Sequence, residues 1–477
     1  MEFETVIGLE IHLELQTRSK LFCSCSTAFG SEPNTSCCPV CLGLPGSLPV
    51  LNRKAVELAI IAALSLQSEV QTESRFDRKN YYYPDLPKAY QISQYDRPLA
   101  LGGFIEMEMD GAKRKINLER IHIEEDPGKL MHSGESILDS DYSLVDYNRA
   151  GIPLLEIVTK PDLRNGREAR LFLEELRCIL LYSGSSDCRM EEGSLRCDAN
   201  ISLRPAGSKT LGTRTEVKNM NSFRAVEMAL DYEAGRQAAV LSAGGSVVQQ
   251  TCHWDEGARE TIPLRGKEGS SDYRYFPEPD LLPLILKPDY IETLAASLPE
   301  LPSSRRARMM EEYGLDPADA AILTENRSLG DLFEAAAGEY KDYRNLARWV
   351  RGDLLYLLKG SDRNPSEVDP FLLIKLLTML DEGEINRPVA KDLLDNIVKN
   401  GTDPRELVQQ KGLGRIADRE TLQPVVEKVL AENKDAVASI RQGREKAFAF
   451  LVGRVMAATA GRADPGKVQE LLRELIN

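Results

Sequence analysis

The chain has 477 residues, 42% of them apolar, so it can build real cores and, at about 150 residues per domain, divides into more than one. Sixty lysines and arginines against 74 acidic residues leave a net charge of −14, which excludes a polyanion binder held by bulk charge but not a nucleic acid gripped by a local patch. No apolar run approaches the ~20 residues of a membrane span, and Met1-Glu2-Phe3-Glu4 lacks the basic-then-apolar layout of a signal peptide, so a cytoplasmic protein without membrane association is expected.

Phe3 to Leu15 alternates. Phe3, Thr5, Ile7, Leu9, Ile11, Leu13 and Leu15 share one face of a predicted strand, and Glu10, His12 and Glu14 share the other. Five of the nine cysteines follow within 19 residues: Cys23, Cys25, Cys37, Cys38 and Cys41. An odd total and a missing secretion signal argue against a disulfide framework. Cys23-Ser-Cys25 and Cys38-Pro-Val-Cys41 instead match a four-thiolate structural zinc site, with Cys37 able to replace Cys38 by a one-residue slip. Cys178, Cys188, Cys197 and Cys252 are scattered, as small buried residues are.

Arg75 to Asp85 interleaves basic residues, among them Lys79, with Tyr81-Tyr82-Tyr83, a pattern suited to stacking a base and holding a phosphate, or to a plain sheet edge. His122-Ile-Glu124-Glu125-Asp126-Pro-Gly-Lys129 offers carboxylates that, with Glu10 and His12, suit Mg²⁺. Strand alternation groups Glu124 with His122, but the Pro127-Gly128 turn can break that alternation, so periodicity alone does not choose between Glu124 and Glu125. Asp146 to Glu156 contains Asn148-Arg149-Ala-Gly151, a turn presenting a guanidinium to an anion.

After Asn165, a predicted N-cap, Ala169, Phe172, Leu176, Ile179 and Leu180 fall at helical spacing, and Gly184 ends the helix. Leu195 to Leu203 alternates again, with Arg196, Asp198, Asn200 and Ser202 on the polar face, and Arg214, Glu216 and Lys218 share a face in the next strand. These one-sided strands predict an antiparallel sheet with one packed and one polar face, the latter crowded with charge like a working floor, although a solvated face has the same alternation. The prolines at 277, 279, 283 and 288 read as an extended exit, and from about Ser303 the sequence becomes helical, with a break at Asn400-Gly401-Thr-Asp-Pro404. The last 77 residues carry 13 basic and 11 acidic residues, against 47 and 63 before them, so the tail is the more plausible nucleic-acid surface. Walker-type, Rossmann and G-x-S-x-G motifs are absent.

Taken together, Val6-Ile-Gly-Leu-Glu10-Ile-His12, Cys38-Pro-Val-Cys41-Leu-Gly-Leu-Pro-Gly46, Arg78-Lys79-Asn-Tyr81-Tyr-Tyr-Pro-Asp85, His122 to Asp126, Asp146 to Glu156, Glu191 to Asn200, Glu216 to Phe223 and Asp272 to Asp280 resemble the B subunit of the aspartyl/glutamyl-tRNA amidotransferases, bacterial type, across essentially the whole chain. The resemblance implies an α+β fold: an antiparallel-sheet cradle domain (1–292), an all-α helical domain (293–404) and a small helical tail (405–477) that binds tRNA. It implies a ligase that uses ATP to phosphorylate the side-chain carboxylate of glutamate or aspartate mischarged on tRNA. Ammonia from an amidase partner, the glutaminase or A subunit, then gives the amide, with a small C subunit completing a heterotrimer.

The resemblance also assigns Mg²⁺ to Glu10, His12 and Glu125, and structural Zn²⁺ to Cys23, Cys25, Cys38 and Cys41. Lys79, Arg149, Arg196 and Lys218 are the cations expected to neutralise phosphate, since phosphoryl transfer needs positioning and charge rather than a protein nucleophile. Tyr81, Asn148, Ser194, Asp198, Asn200 and Glu216 are expected to line the same pocket. Two positions depart from the family pattern: Cys252 where arginine is usual, which puts an anion contact in doubt, and Pro127 where a small residue is usual. The competing readings are a non-catalytic zinc-containing tRNA scaffold in the same complex and a free-standing small-molecule carboxylate kinase.

Overall fold

A computed structural model describes residues 2–133, 141–264, 273–361, 363–441 and 446–476. They form two compact units, residues 1–301 and 302–477.

The first unit is organised by a ten-stranded sheet. Across it run Glu260–Pro263, Gln250–Asp255, Thr215–Lys218, Leu195–Pro205, Phe3–Glu14, Pro153–Thr159, Ala112–Glu125, Ala100–Leu101 and Glu69–Val70, with Phe104–Met109 also pairing with Ala112–Glu125. The expected alternation of Phe3–Glu14 holds: Ile7, Leu9, Ile11 and Leu13 are buried with Ile121, Ile123, Leu155, Ile157, Cys197, Ala199 and Ile201 in one core. That core is closed by the helices Arg53–Ser65, Gly166–Ser183 and Phe223–Ser242, which lie beneath the apolar face alone. Asn165 caps its helix by accepting a hydrogen bond from the Glu168 amide at 2.8 Å, and Gly184 ends it at φ 69°, a left-handed conformation that glycine adopts without a Cβ clash. The sheet is antiparallel except where Thr215–Lys218 runs parallel to Gln250–Asp255, because helix Phe223–Ser242 crosses over between them.

The second unit is helical among its described residues, as the composition change near Ser303 indicates. It holds two separate hydrophobic clusters, one from Met309 to Leu407 and one from Leu422 to Ile476. The break at residue 400 is a left-handed Gly401 (φ 63°) after helix Arg387–Asn400, followed by Asp403 capping helix Pro404–Lys411. No described helix is long and apolar enough to cross a membrane.

Candidate active site on the charged face of the sheet

Helices cover one face of the sheet, so the other can carry charge. The register brings that charge together in rows. His12 stands opposite Arg196 on one side and Glu156 on the other, and Glu156 stands opposite His122. Glu10 stands opposite Asp198, and Asn200 opposite Glu216.

At the centre, His12 Nε2 lies 3.4 Å from Glu156 Oε2 and 3.5 Å from Glu124 Oε1. His122 Nε2 lies 2.9 Å from the same Glu156 oxygen. Ser93 Oγ donates to Glu124 at 3.0 Å. His122, Glu124 and Glu156 are buried. Burial works against every charge here, yet the group is mutually sustaining: Glu156 and Glu124 push His122 up to about 9, and the imidazoles hold both carboxyls below the usual range. One ligand atom from each of His12, Glu124 and Glu156 lies within 4.8 Å of the others, and an imidazole with two carboxylates is a donor set that suits a divalent cation.

Of the residues expected to hold this cation, His12 is in the cluster and Glu10 is one step along the same face. The Glu10 carboxylate accepts from Asn200 Nδ2 at 2.9 Å, and burial, with Glu156 and Glu216 nearby, raises its pKa. Glu125 is not brought there. Alternation persists to the end of strand Ala112–Glu125, so Glu124 joins His122 while Glu125 turns to a separate cavity lined by Lys20, Cys41, Lys88 and Tyr90. There it is ion-paired with Lys88 and accepts from the Ile92 amide at 2.9 Å.

Lys79 stands near the cluster, and Lys218 lies further along the same face near Glu10. Lys79 projects from strand Asp77–Asn80, which belongs to a separate three-stranded sheet. Its ammonium lies 5.2 Å from the Tyr273 ring centre and 5.9 Å from that of Tyr81, and although burial opposes its charge, Glu124 raises its pKa. Lys218 is ion-paired with Asp198 and, at 2.8 Å, with Glu216. Beside Glu10, a cavity of about 200 Å³ is lined by Gly8, Asn200, Ser202, Arg214 and Thr159.

Four expected site residues are occupied with framework contacts. Ser194 Oγ accepts from the Arg189 amide at 2.8 Å and bonds Asp187. Asn148 bonds the 31–36 segment. Arg149 donates to the carbonyls of Pro127 (3.1 Å) and Gly128 (2.7 Å), so Pro127 sits in a turn this guanidinium holds. Arg196 is ion-paired with Asp126. Cys252 is buried on the core face, paired with Val217 and beside Glu233 and Arg236, so that departure takes nothing from the charged face. Of the motif Asp272 to Asp280, Asp272 lies outside the described residues. The rest runs beside Lys79: Phe276–Pro277 pairs with Asp77–Arg78, and Arg78 forms a two-point bond to Glu278 at 2.7 and 2.9 Å.

Sequence reasoning missed Glu156, although it is the single charge in the apolar strand Pro153–Thr159, and left His122 without a role. A lone acid in such a run is the signal that was there to be read.

The cysteines form a second centre. The sulfurs of Cys23, Cys25, Cys38 and Cys41 all lie within 4.8 Å of one another, whereas that of Cys37 faces Asn148 Oδ1 at 3.9 Å. Zinc–sulfur bonds of about 2.3 Å in a tetrahedron require sulfurs about 3.8 Å apart. The Cys38 and Cys41 sulfurs are 3.9 Å apart, and the Cys38 amide donates to Cys41 Sγ at 3.1 Å, so the four residues fit a thiophilic ion. A hydrogen bond from Cys23, aided by Lys20, draws the Cys41 thiol down to about 4.

A sheet packed with helices on one face that gathers buried carboxylates, imidazoles and ammonium groups beside a cavity on the other has the arrangement of an enzyme's working face. The family follows from comparison: a model of the GatB/GatE catalytic domain matches residues 5–292 and a model of the GatB domain matches residues 331–476. This chain belongs to the GatB/GatE family. It is 53% identical over 475 residues to a protein of Carboxydothermus hydrogenoformans, covering 99% of this chain and 98% of that one. It is 53% identical over 476 residues to one of Moorella thermoacetica (99% and 100%), and 49% identical over 479 residues to one of Geobacillus thermodenitrificans (100% of both). Each of the three is named as the B subunit of an aspartyl/glutamyl-tRNA(Asn/Gln) amidotransferase.

Proposed function

We propose that this chain is the B subunit of a multi-subunit, tRNA-dependent amidotransferase of the ligase class. It uses ATP to convert glutamate or aspartate mischarged on tRNA into the amide. The observation that carries the chemistry is the cluster of His12, Glu124 and Glu156, with Lys79 and Lys218 close by and a cavity at Glu10.

A carboxylate resists ammonia because its leaving group would be oxide. Transfer of the terminal phosphoryl group of ATP to a side-chain carboxylate oxygen releases ADP and leaves an acyl phosphate. Ammonia then attacks the carbonyl carbon, loses a proton and expels phosphate. A divalent cation such as Mg²⁺, bound by His12, Glu124 and Glu156 with Glu10 adjacent, would neutralise phosphate charge. Lys79 and Lys218 place further positive charge around the transferring group. The substrate itself carries the attacking oxygen, so no serine or cysteine nucleophile is required. Cys23, Cys25, Cys38 and Cys41 would hold Zn²⁺ with four protein ligands, and such an ion would serve structure rather than catalysis.

In this reading the ammonia comes from a glutaminase partner, the A subunit, with a small C subunit completing the complex in the cytoplasm. The chain divides into a cradle (1–292), a helical domain (293–404) and a tail (405–477) that holds the tRNA. The test is ADP formation by the purified complex with mischarged tRNA, glutamine and ATP. Glu10→Ala and Glu124→Ala should each abolish it while tRNA binding persists. Unchanged ADP formation would favour the non-catalytic scaffold, and ADP formation on a small carboxylic acid without tRNA or partners would favour the free-standing kinase.

A further inference from the structure

The cysteine centre and the charged face are connected by a chain of hydrogen bonds through residues that are neither metal ligands nor part of the carboxylate cluster. Asn34, in the left-handed conformation at φ 60°, turns its amide and both polar atoms of its side chain to a segment more than a hundred residues away. Its amide donates to Asp146 Oδ1 at 2.9 Å, its Nδ2 donates to the Val145 carbonyl at 3.0 Å, and its Oδ1 accepts from the Tyr147 amide at 2.8 Å. Asn148 returns the grip: its Oδ1 accepts from the Ser36 amide at 2.7 Å and its Nδ2 donates to the Glu32 carbonyl at 2.7 Å. Buried Lys20 makes a third tie, with its ammonium 3.8 Å from Cys41 Sγ and donating to the Tyr147 carbonyl at 3.2 Å. The loop that carries Cys37 and Cys38 is thus stitched to residues 145–148.

The next residue, Arg149, continues the chain. It donates to the Pro127 and Gly128 carbonyls and lies 3.5 Å from Asp126 Oδ2. The Gly151 amide donates to the Asp126 carbonyl at 2.8 Å, and Asp126 is ion-paired with Arg196, whose backbone stands opposite His12. We infer that Asn34 and Asn148 are positioning residues. They lock the metal-bound cysteine loop to the Asp146–Arg149 segment, so that metal at the cysteines sets the placement of the Arg149–Asp126–Arg196 chain at the edge of the charged face. The effect on catalysis rests on the reading of that face as the active site, whereas the mechanical coupling does not.

The experiment therefore has two arms on the full chain in its complex. In hydrogen exchange, stripping zinc from the wild type with a chelator should speed exchange in peptides covering 126–129 and 146–152. In Asn34→Ala/Asn148→Ala those peptides should exchange fast with zinc bound, and chelation should add little. In kinetics, the double variant should lose about 10-fold to 100-fold in kcat for ADP formation, with KM for ATP within about twofold, as displacement of a positioning segment does. Asn148→Asp keeps the acceptor to Ser36 but loses the donor to Glu32, and should fall between. If chelation leaves exchange at 126–129 unchanged in the wild type, or if the double variant exchanges like the wild type, the coupling is refuted. Altered exchange with unaltered kcat would instead sink the assignment of the active site while the coupling stands. Zinc content and a thermal melt of each variant separate loss of coupling from loss of fold.

Discussion

Replacing Glu156 by glutamine removes the carboxylate that lies closer to both imidazoles than Glu124 does, at 2.9 Å from His122 and 3.4 Å from His12. Burial by itself lowers a histidine pKa, and Glu156 is the largest influence acting the other way on His122, which stands at about 9. The distance from an ordinary 6.5 to about 9 corresponds to about 3 kcal/mol. A raised folded value means that this stabilisation is fully present below about 6.5 and is lost as pH rises through about 9. In Glu156→Gln the amide keeps an acceptor but not the charge, so Glu124 alone opposes burial and the His122 midpoint should fall well below that of the wild type. The chain has four histidines, so metal-free protein labelled with ¹³C-histidine should give four imidazole signals whose titrations can be followed one by one. The expected result is one buried signal with a midpoint near 9 that moves down by at least about one pH unit in the variant. With Mg²⁺ restored, ADP formation by the variant should fall by about 10-fold to 100-fold. A wild-type His122 titrating at 7 or lower, or a variant whose signal stays near 9, would refute the shared-carboxylate account.

Cys41→Ser should reduce bound zinc from about one ion per chain to almost none and lower the melting temperature, whereas Cys37→Ser should retain the ion; metal analysis and calorimetry decide this. Lys79→Met should cut the rate of ADP formation by about 100-fold or more, read from initial rates at saturating ATP, because a cation beside Glu124 is lost where phosphate charge accumulates. Glu233, fully buried, accepts from Arg236 at 2.8 and 2.6 Å, from Gln237 at 2.8 Å and from Thr261 at 2.9 Å. Glu233→Ala strands those donors and should cost about 3–5 kcal/mol in urea unfolding, followed through Trp254 in a Trp349→Phe background. Although burial opposes it, the hydrogen bond from Arg236 leads the donors that hold the Glu233 carboxyl below its usual range. Its stabilisation is therefore present above about pH 4.5 and lost as pH falls through the folded value, and the variant should lack that acid-side loss.

Local sequence was a sound guide wherever one strand or one turn decides the outcome. The two-residue period of Phe3–Glu14 and Leu195–Pro205 assigned each side chain to a face, and the caps at Asn165 and Gly184 bounded a helix, because these depend on backbone geometry within a few residues. The close cysteine pairs were legible for the same reason: knuckle spacing is a local property, and folding brings Cys38 rather than Cys37 to the other three sulfurs.

What a single strand cannot specify is its partner's register. Glu156 becomes important only because Pro153–Thr159 lies between Phe3–Glu14 and Ala112–Glu125, in a register that sets it opposite both His12 and His122. The same pairing separates Glu124 from Glu125, two neighbours whose side chains enter opposite faces, one meeting imidazoles and the other Lys88. Asn148 and Arg149 read as ligand-binding types in the linear chain, yet folding brings carbonyls and amides to them that occupy their hydrogen-bonding groups first. Residue type and spacing thus determine which chemistry this chain can carry. Long-range strand pairing decides which carboxylate meets which imidazole, because that choice depends on contacts between residues far apart in the chain, such as His12 and Glu156.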